Sequence, residues 1–142
     1  MFRRFKRRQE MAGRPSEPNG DASPAYVEPR PFSLATEAVD ARRCVIVVAG
    51  ELDISTAPRL KAALDDAVAS GRTRVVVDLA DTSFVDSTSL AAIVGANNRL
   101  RSLDGALTVV NTDPHVAKML EMTGFDALLA VHATRAEAVA AV

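Results

Sequence analysis

Arg74-Val75-Val76-Val77-Asp78-Leu79, then Ala80-Asp81-Thr82-Ser83-Phe84-Val85, then Asp86-Ser87-Thr88-Ser89-Leu90, is the stretch whose reading decides the fold. Val75, Val76 and Val77 form a continuous β-branched run, the pattern of a strand buried on both faces. Polar residues break it at Asp81-Thr82-Ser83. Apolar side chains then return with a helical period at Leu90, Ile93, Val94 and Leu100, and Asn97 shares that side. The expected unit is a strand over residues 74–79, a loop, and a helix over 87–103 stopped by Asp104-Gly105.

The same alternation extends in both directions. Upstream, residues 44–50 are an apolar run of strand type. Glu51-Leu52-Asp53-Ile54-Ser55-Thr56-Ala57-Pro58 follows, and a hydroxyl residue just before Ala-Pro is a helix start. Ala57, Leu60, Ala63, Leu64, Ala67 and Val68 keep helical spacing until Gly71 ends the helix. A first strand over residues 32–39 turns through Asp40-Ala41-Arg42-Arg43, a connection short enough only for antiparallel neighbours. Downstream come a strand over 106–111, a helix over 114–123 stopped by Gly124, and a short strand over 128–131. Thr134-Arg135-Ala136-Glu137 matches a capping box and opens a last helix. Short apolar strands separated by helices imply βαβ units. The fold class is therefore α/β, with a mixed sheet of four to five strands and about four helices packed against it, on one face or both.

Bulk properties restrict the function. At 142 residues the chain fits one domain. It is 48% hydrophobic but only 4% aromatic, with no Trp. Ala, Val and Leu must fill the core, which favours tight helix-on-sheet layers over large ligand cavities. Residues 1–30 carry seven Lys/Arg and four Asp/Glu, a balance of +3; residues 31–142 carry ten and fourteen, a balance of −4. The folded part is a poor nucleic-acid surface. The single cysteine, Cys44, sits in an apolar run, where it reads as a small buried hydrophobe. No apolar stretch approaches the ~20 residues of a membrane span. The basic N-terminus lacks the apolar core of a secretory signal, so a cytoplasmic location is expected.

The first 30 residues differ from the rest. Phe2-Arg3-Arg4-Phe5-Lys6-Arg7-Arg8 is a basic arm, and five prolines follow between residues 13 and 31. Such composition buries too little apolar area to offset chain entropy. Residues 1–30 are expected to be a disordered basic, Pro-rich tail, with the domain spanning 31–142. The arm's charge and aromatics could attract anionic lipid or nucleic acid, while a solubilising extension is the duller reading.

Chemistry in an open α/β sheet gathers where strands end and helices begin. Two polar clusters occupy such points, Glu51 to Thr56 and Thr82 to Ser89. If the strands before them are parallel neighbours, Glu51, Asp53, Asp81 and Asp86 surround the hydroxyls of Ser55, Thr56, Ser83, Ser87, Thr88 and Ser89. Helix capping by Asp86 or Ser87 explains one of these groups. Three consecutive hydroxyls of weak helix propensity exceed what a cap needs, and the capping and functional readings both stand. Exposed loop carboxylates such as Asp53 and Asp86 are expected to matter less for folding than for function. A serine hydrolase would need a base, but His115 and His132 serve no Gly-x-Ser-x-Gly elbow and read as solvent-facing residues. There is no Gly-rich phosphate loop and no dense carboxylate loop, so neither a cofactor nor a metal is expected.

Gly50-Glu51-Leu52-Asp53 with Thr56-Ala57 resembles the opening of STAS domains. Val75-Val76-Val77-Asp78-Leu79 with Phe84-Val85-Asp86-Ser87-Thr88-Ser89-Leu90 resembles their phosphorylation loop. The resemblance covers about residues 33–142 in the right order, and two motifs at this separation are more specific than either alone. It implies a mixed sheet with helices packed on it. For the bacterial regulatory branch, the anti-sigma factor antagonists, it implies binding to an anti-sigma factor that is also a Ser/Thr kinase, which frees the sigma factor. Phosphorylation by that kinase ends the binding, and a Ser/Thr phosphatase restores it.

Carried over by position, the resemblance makes Ser87 the phosphoacceptor, Asp86 the acid preceding it and Asp53 the acid of the first loop. The implied partner-binding set is Glu51, Asp53, Ser55, Thr56, Asp86, Ser87, Thr88 and Ser89. The family commonly places Gly two residues after the acceptor, where this chain has Ser89. The expected class is a binding switch rather than an enzyme. Its rivals are a regulatory STAS subunit of another assembly, such as a lipid-transport ATPase or a stress-signalling complex, and a nucleotide-binding STAS module.

Overall fold

The computed structural model describes residues 30–142. The expected tail, apart from Arg30, lies outside the described residues. Five strands form one sheet in the order β1-β2-β3-β4-β5, with β1 Ser33–Ala38, β2 Arg43–Leu52, β3 Arg74–Val85, β4 Ala106–Val110 and β5 Ala130–His132. β1 is antiparallel to β2, and every later pair is parallel. The antiparallel pair follows from its turn, where Asp40 Oδ1 accepts the backbone N–H of Arg42 and Arg43 at 3.0 and 2.7 Å.

Helices α1 Ala57–Ala69, α2 Ser87–Ser102 and α3 Pro114–Thr123 connect the parallel strands. Each crossover steps to the next strand in the same direction, so the preferred right-handed connection places all three helices on one face. That face holds the main core. Ile46, Val48 and Leu52 of β2 and Val75, Val77 and Leu79 of β3 meet Leu60 and Leu64 of α1 and Leu90, Ile93 and Leu100 of α2. Truncating any of the buried Leu or Ile side chains among them to Ala costs about 2–5 kcal/mol. Cys44 is buried among them, as its apolar surroundings led one to expect.

Helix α4, Arg135–Ala141, covers part of the other face, where Ala138 packs with Val45, Val76 and Val110. The capping box is half present: Thr134 Oγ1 accepts the N–H of Glu137 at 3.2 Å. Arg135 then reaches across the sheet. Its Nε donates to Asp78 Oδ2 at 3.0 Å and its Nη1 to Glu37 Oε1 at 2.8 Å, which ties α4 to β3 and β1.

Three features differ from the sequence reading. β3 runs to Val85, through the polar triplet that reads as a loop. Thr82 is buried and donates its hydroxyl to Val48 O at 3.1 Å. That carbonyl lies at a register irregularity between Val47 and Ala49, so the threonine satisfies an acceptor next to a bulge. The last strand starts two residues late, because a short 3₁₀ turn, Phe125–Ala127, follows Gly124. His132, expected to face solvent, is half-buried, and its Nε2 has no partner.

Candidate functional site

β2 and β3 run parallel to their last residues, through two register irregularities, and Leu52 pairs with Val85 at the end. Asp86 N donates to Leu52 O at 3.0 Å and closes the ladder. Both polar loops therefore leave the same edge of the sheet, one into α1 and the other into α2. The parallel-neighbour condition set by the sequence is met.

Asp53 organises the first loop. Its Oδ1 accepts the N–H of Ser55 at 2.9 Å, the hydroxyl of Ser55 at 2.7 Å and the N–H of Thr56 at 3.1 Å. These bonds, the Ser55 hydroxyl foremost, hold the Asp53 carboxyl below its usual range, because they favour the charged form. Thr56 stands at the N-cap position of α1, but its side chain does not cap the helix. Its hydroxyl turns back and donates to Glu51 O at 2.9 Å, while Asp53 N donates to it at 2.9 Å. Polar groups within the loop satisfy one another and fix its shape.

Asp86 organises the second loop. It is the N-cap of α2, with φ −93° and ψ 170°, and its Oδ1 accepts the N–H of Ser89 at 2.8 Å. Asp53 and Asp86 thus both carry hydrogen bonds that shape the loops they stand on. Ser87 is the first helical residue and is exposed, as is Thr88. Ser89 is not: it is fully buried beneath the helix start, and its Oγ has no partner. A residue with no accessible surface cannot touch a docked protein, so the structure removes Ser89 from the contact set. The remaining exposed or half-exposed members, Glu51, Asp53, Ser55, Thr56, Asp86, Ser87 and Thr88, share one edge.

The sequence reading missed the apolar side of this edge. Phe84 is 44% exposed and Ile54 80% exposed. Phe84, Val85, Met119 and His115 line a groove of about 520 Å³, with Glu51 and Ser83 at its rim. The signal lay next door: Val85 is buried, and strand alternation turns its neighbour Phe84 to the opposite face. Among the described residues no three His, Cys, Asp or Glu side chains are placed to hold a metal ion. Nor is any helix there long and apolar enough to cross a membrane.

The family model of the STAS domain matches residues 35–138. This chain belongs to the STAS domain family. The STAS chain is 30% identical to a protein of Listeria monocytogenes named anti-sigma-B factor antagonist, over 70% of this chain and 88% of that one. An anti-sigma factor antagonist from Mycobacterium paratuberculosis superposes with a TM-score of 0.72 at 28% identity, covering 79% of this chain and 94% of the other. The anti-sigma factor antagonist SpoIIAA in its unphosphorylated form gives 0.66 at 26% identity, covering 75% and 93%. The five-stranded mixed sheet with four helices is the fold these STAS proteins share.

Proposed function

We propose that this STAS protein is an anti-sigma factor antagonist. Unphosphorylated, it binds an anti-sigma factor that is also a Ser/Thr kinase and so releases a sigma factor. Phosphorylation of Ser87 ends the binding, and a Ser/Thr phosphatase restores it. The protein acts as a cytoplasmic binding switch and not as an enzyme. The observation that carries this reading is the exposed Ser87 hydroxyl at the first position of α2, directly after its capping Asp86 and beside the Asp53 loop. The relatives named as antagonists of an anti-sigma factor support the partner class.

A phosphate on Ser87 adds about −1.5 to −2 charges at neutral pH to an edge that already holds Glu51, Asp53 and Asp86. It adds bulk as well, and a close interface would have to desolvate that charge. The helix N-terminus tolerates the phosphate locally, so the surface changes while the fold stays.

The test pairs phosphosite mapping with calorimetry. With the cognate kinase and ATP, one phosphate should appear on Ser87 and none after Ser87→Ala. Ser87→Ala should bind the anti-sigma factor like the unmodified protein, Ser87→Asp more weakly, and the phosphorylated protein least. Undiminished binding of the phosphorylated form, or full modification of Ser87→Ala on Thr88, would refute the assignment.

A further inference from the structure

The groove beside the Ser87 edge and the point where the N-terminal segment leaves the fold lie close together. β1 is antiparallel to β2, so its first residue, Ser33, pairs with Ala49 near the end of β2 from which the Asp53 loop springs. Three contacts fix the chain just before it. Arg30 Nη1 lies 3.5 Å from Asp81 Oδ2. The Arg59 guanidinium of α1 stacks 4.7 Å above the Phe32 ring. Gly50, at φ +95°, lies so close that a Cβ there would meet Phe32 Cα at 2.9 Å and Arg30 O at 3.0 Å. Gly50 immediately precedes Glu51, which pairs with Phe84 in register, and both residues line the groove.

We infer that residues 2–8 of this same chain, Phe-Arg-Arg-Phe-Lys-Arg-Arg, dock in the groove formed by Phe84, Val85, Met119 and His115, with Glu51 at its rim. The composition of the arm matches that of the seat. The groove offers a half-exposed aromatic ring and a thioether, and the arm brings Phe2 and Phe5. The edge offers Glu51, Asp53 and Asp86, and the arm brings five cations. Reach is ample: the 21 residues between Arg8 and Arg30 span up to ~70 Å when extended, against a radius of gyration of ~13 Å for a domain of this size. A tether of that length holds the arm at roughly millimolar effective concentration, so even a millimolar intrinsic affinity fills the groove about half the time. Glu51 also belongs to the proposed partner surface, so a seated arm would compete with the partner. That consequence rests on the function proposed above, whereas the seat itself does not.

The experiment uses the full chain without a partner. Backbone amide spectra of the wild type are compared with a variant carrying Phe2→Ala, Phe5→Ala and Gln at Arg3, Arg4, Lys6, Arg7 and Arg8. Differences should concentrate at Glu51, Phe84, His115 and Met119, persist unchanged on tenfold dilution, and collapse in about 0.5 M salt, where the screening length is only a few ångströms. Phe84→Ser, a change at a half-exposed position, should make the folded domain insensitive to the arm substitutions. Superposable spectra of the two chains, or differences confined to other surfaces, would overturn the inference. Differences that fade on dilution would assign the groove to the arm of a second copy and overturn docking within one chain.

Discussion

Ser89 carries a hydroxyl with no acceptor in reach. It is fully buried at the third position of α2, while its backbone N–H is taken by Asp86. A buried hydroxyl left unpaired costs free energy that an apolar group of the same shape does not. Ser89→Ala should therefore leave stability unchanged or raise it by up to about 1 kcal/mol in urea unfolding. A loss of more than that would show the hydroxyl to be bonded after all. Asp53 supports a prediction in pH. Its folded carboxyl titrates below the ordinary carboxylate value of about 4, so its contribution is complete above that value and disappears as pH falls through the lower folded one. The Ser55 and Thr56 amide signals should thus titrate with a midpoint below the ordinary carboxylate value. A midpoint at or above 4 would contradict the hydrogen-bond geometry of the loop. These residue-level roles were half legible. Asp-Ser-Thr-Ser marks a helix start in any sequence, but only packing decides which hydroxyl faces water and which enters the core.

At the scale of elements, the sequence reading located the five strands and the four α-helices, missed the 3₁₀ turn after Gly124 and misplaced some of the ends. β3 was the costliest miss, because Asp81-Thr82-Ser83 has loop composition and nothing local shows that Thr82 will bond Val48 across a bulge. The same error hid Phe84, whose outward position is evident only once the strand is known to continue. Helix α4 was legible from its capping box, whereas its anchor was not. Arg135 and Asp78 stand 57 residues apart, and their meeting depends on where α4 crosses the sheet. The Asp78 side chain is 8% exposed and the Arg135 side chain 43% exposed, so solvent screens one end of this pair. Arg135→Gln should cost about 1–2 kcal/mol, chiefly by leaving a nearly buried carboxylate short of its charged partner. Glu37→Gln, at the exposed end of the same guanidinium, should cost at most about 0.5 kcal/mol. Equal losses for the two variants in urea unfolding would mean that burial does not grade this network.

For the molecule as a whole, the serial strand order has a mechanical consequence. Three crossovers on one face bury α1, α2 and α3 against a continuous aliphatic core, and the loops of β2 and β3 project from its end. Leu90, Ile93 and Leu100 hold α2 in that core, while Ser87 at its first turn stays in solvent. A phosphate there touches no buried group. It meets the free N–H groups and the positive end of a 16-residue helix, an interaction worth about 0.3–1 kcal/mol in its favour. Repulsion from the adjacent Asp86 and from Asp53 opposes this. The two effects are of opposite sign. The phosphorylated protein should therefore unfold in one cooperative transition within about 3 °C of the unmodified protein, even where its partner affinity is lost. A fall of more than about 8 °C, or a broadened transition, would place the switch in the stability of α2 and not in the surface it presents. In that case Ser87→Asp should reproduce part of the destabilisation in the absence of any partner.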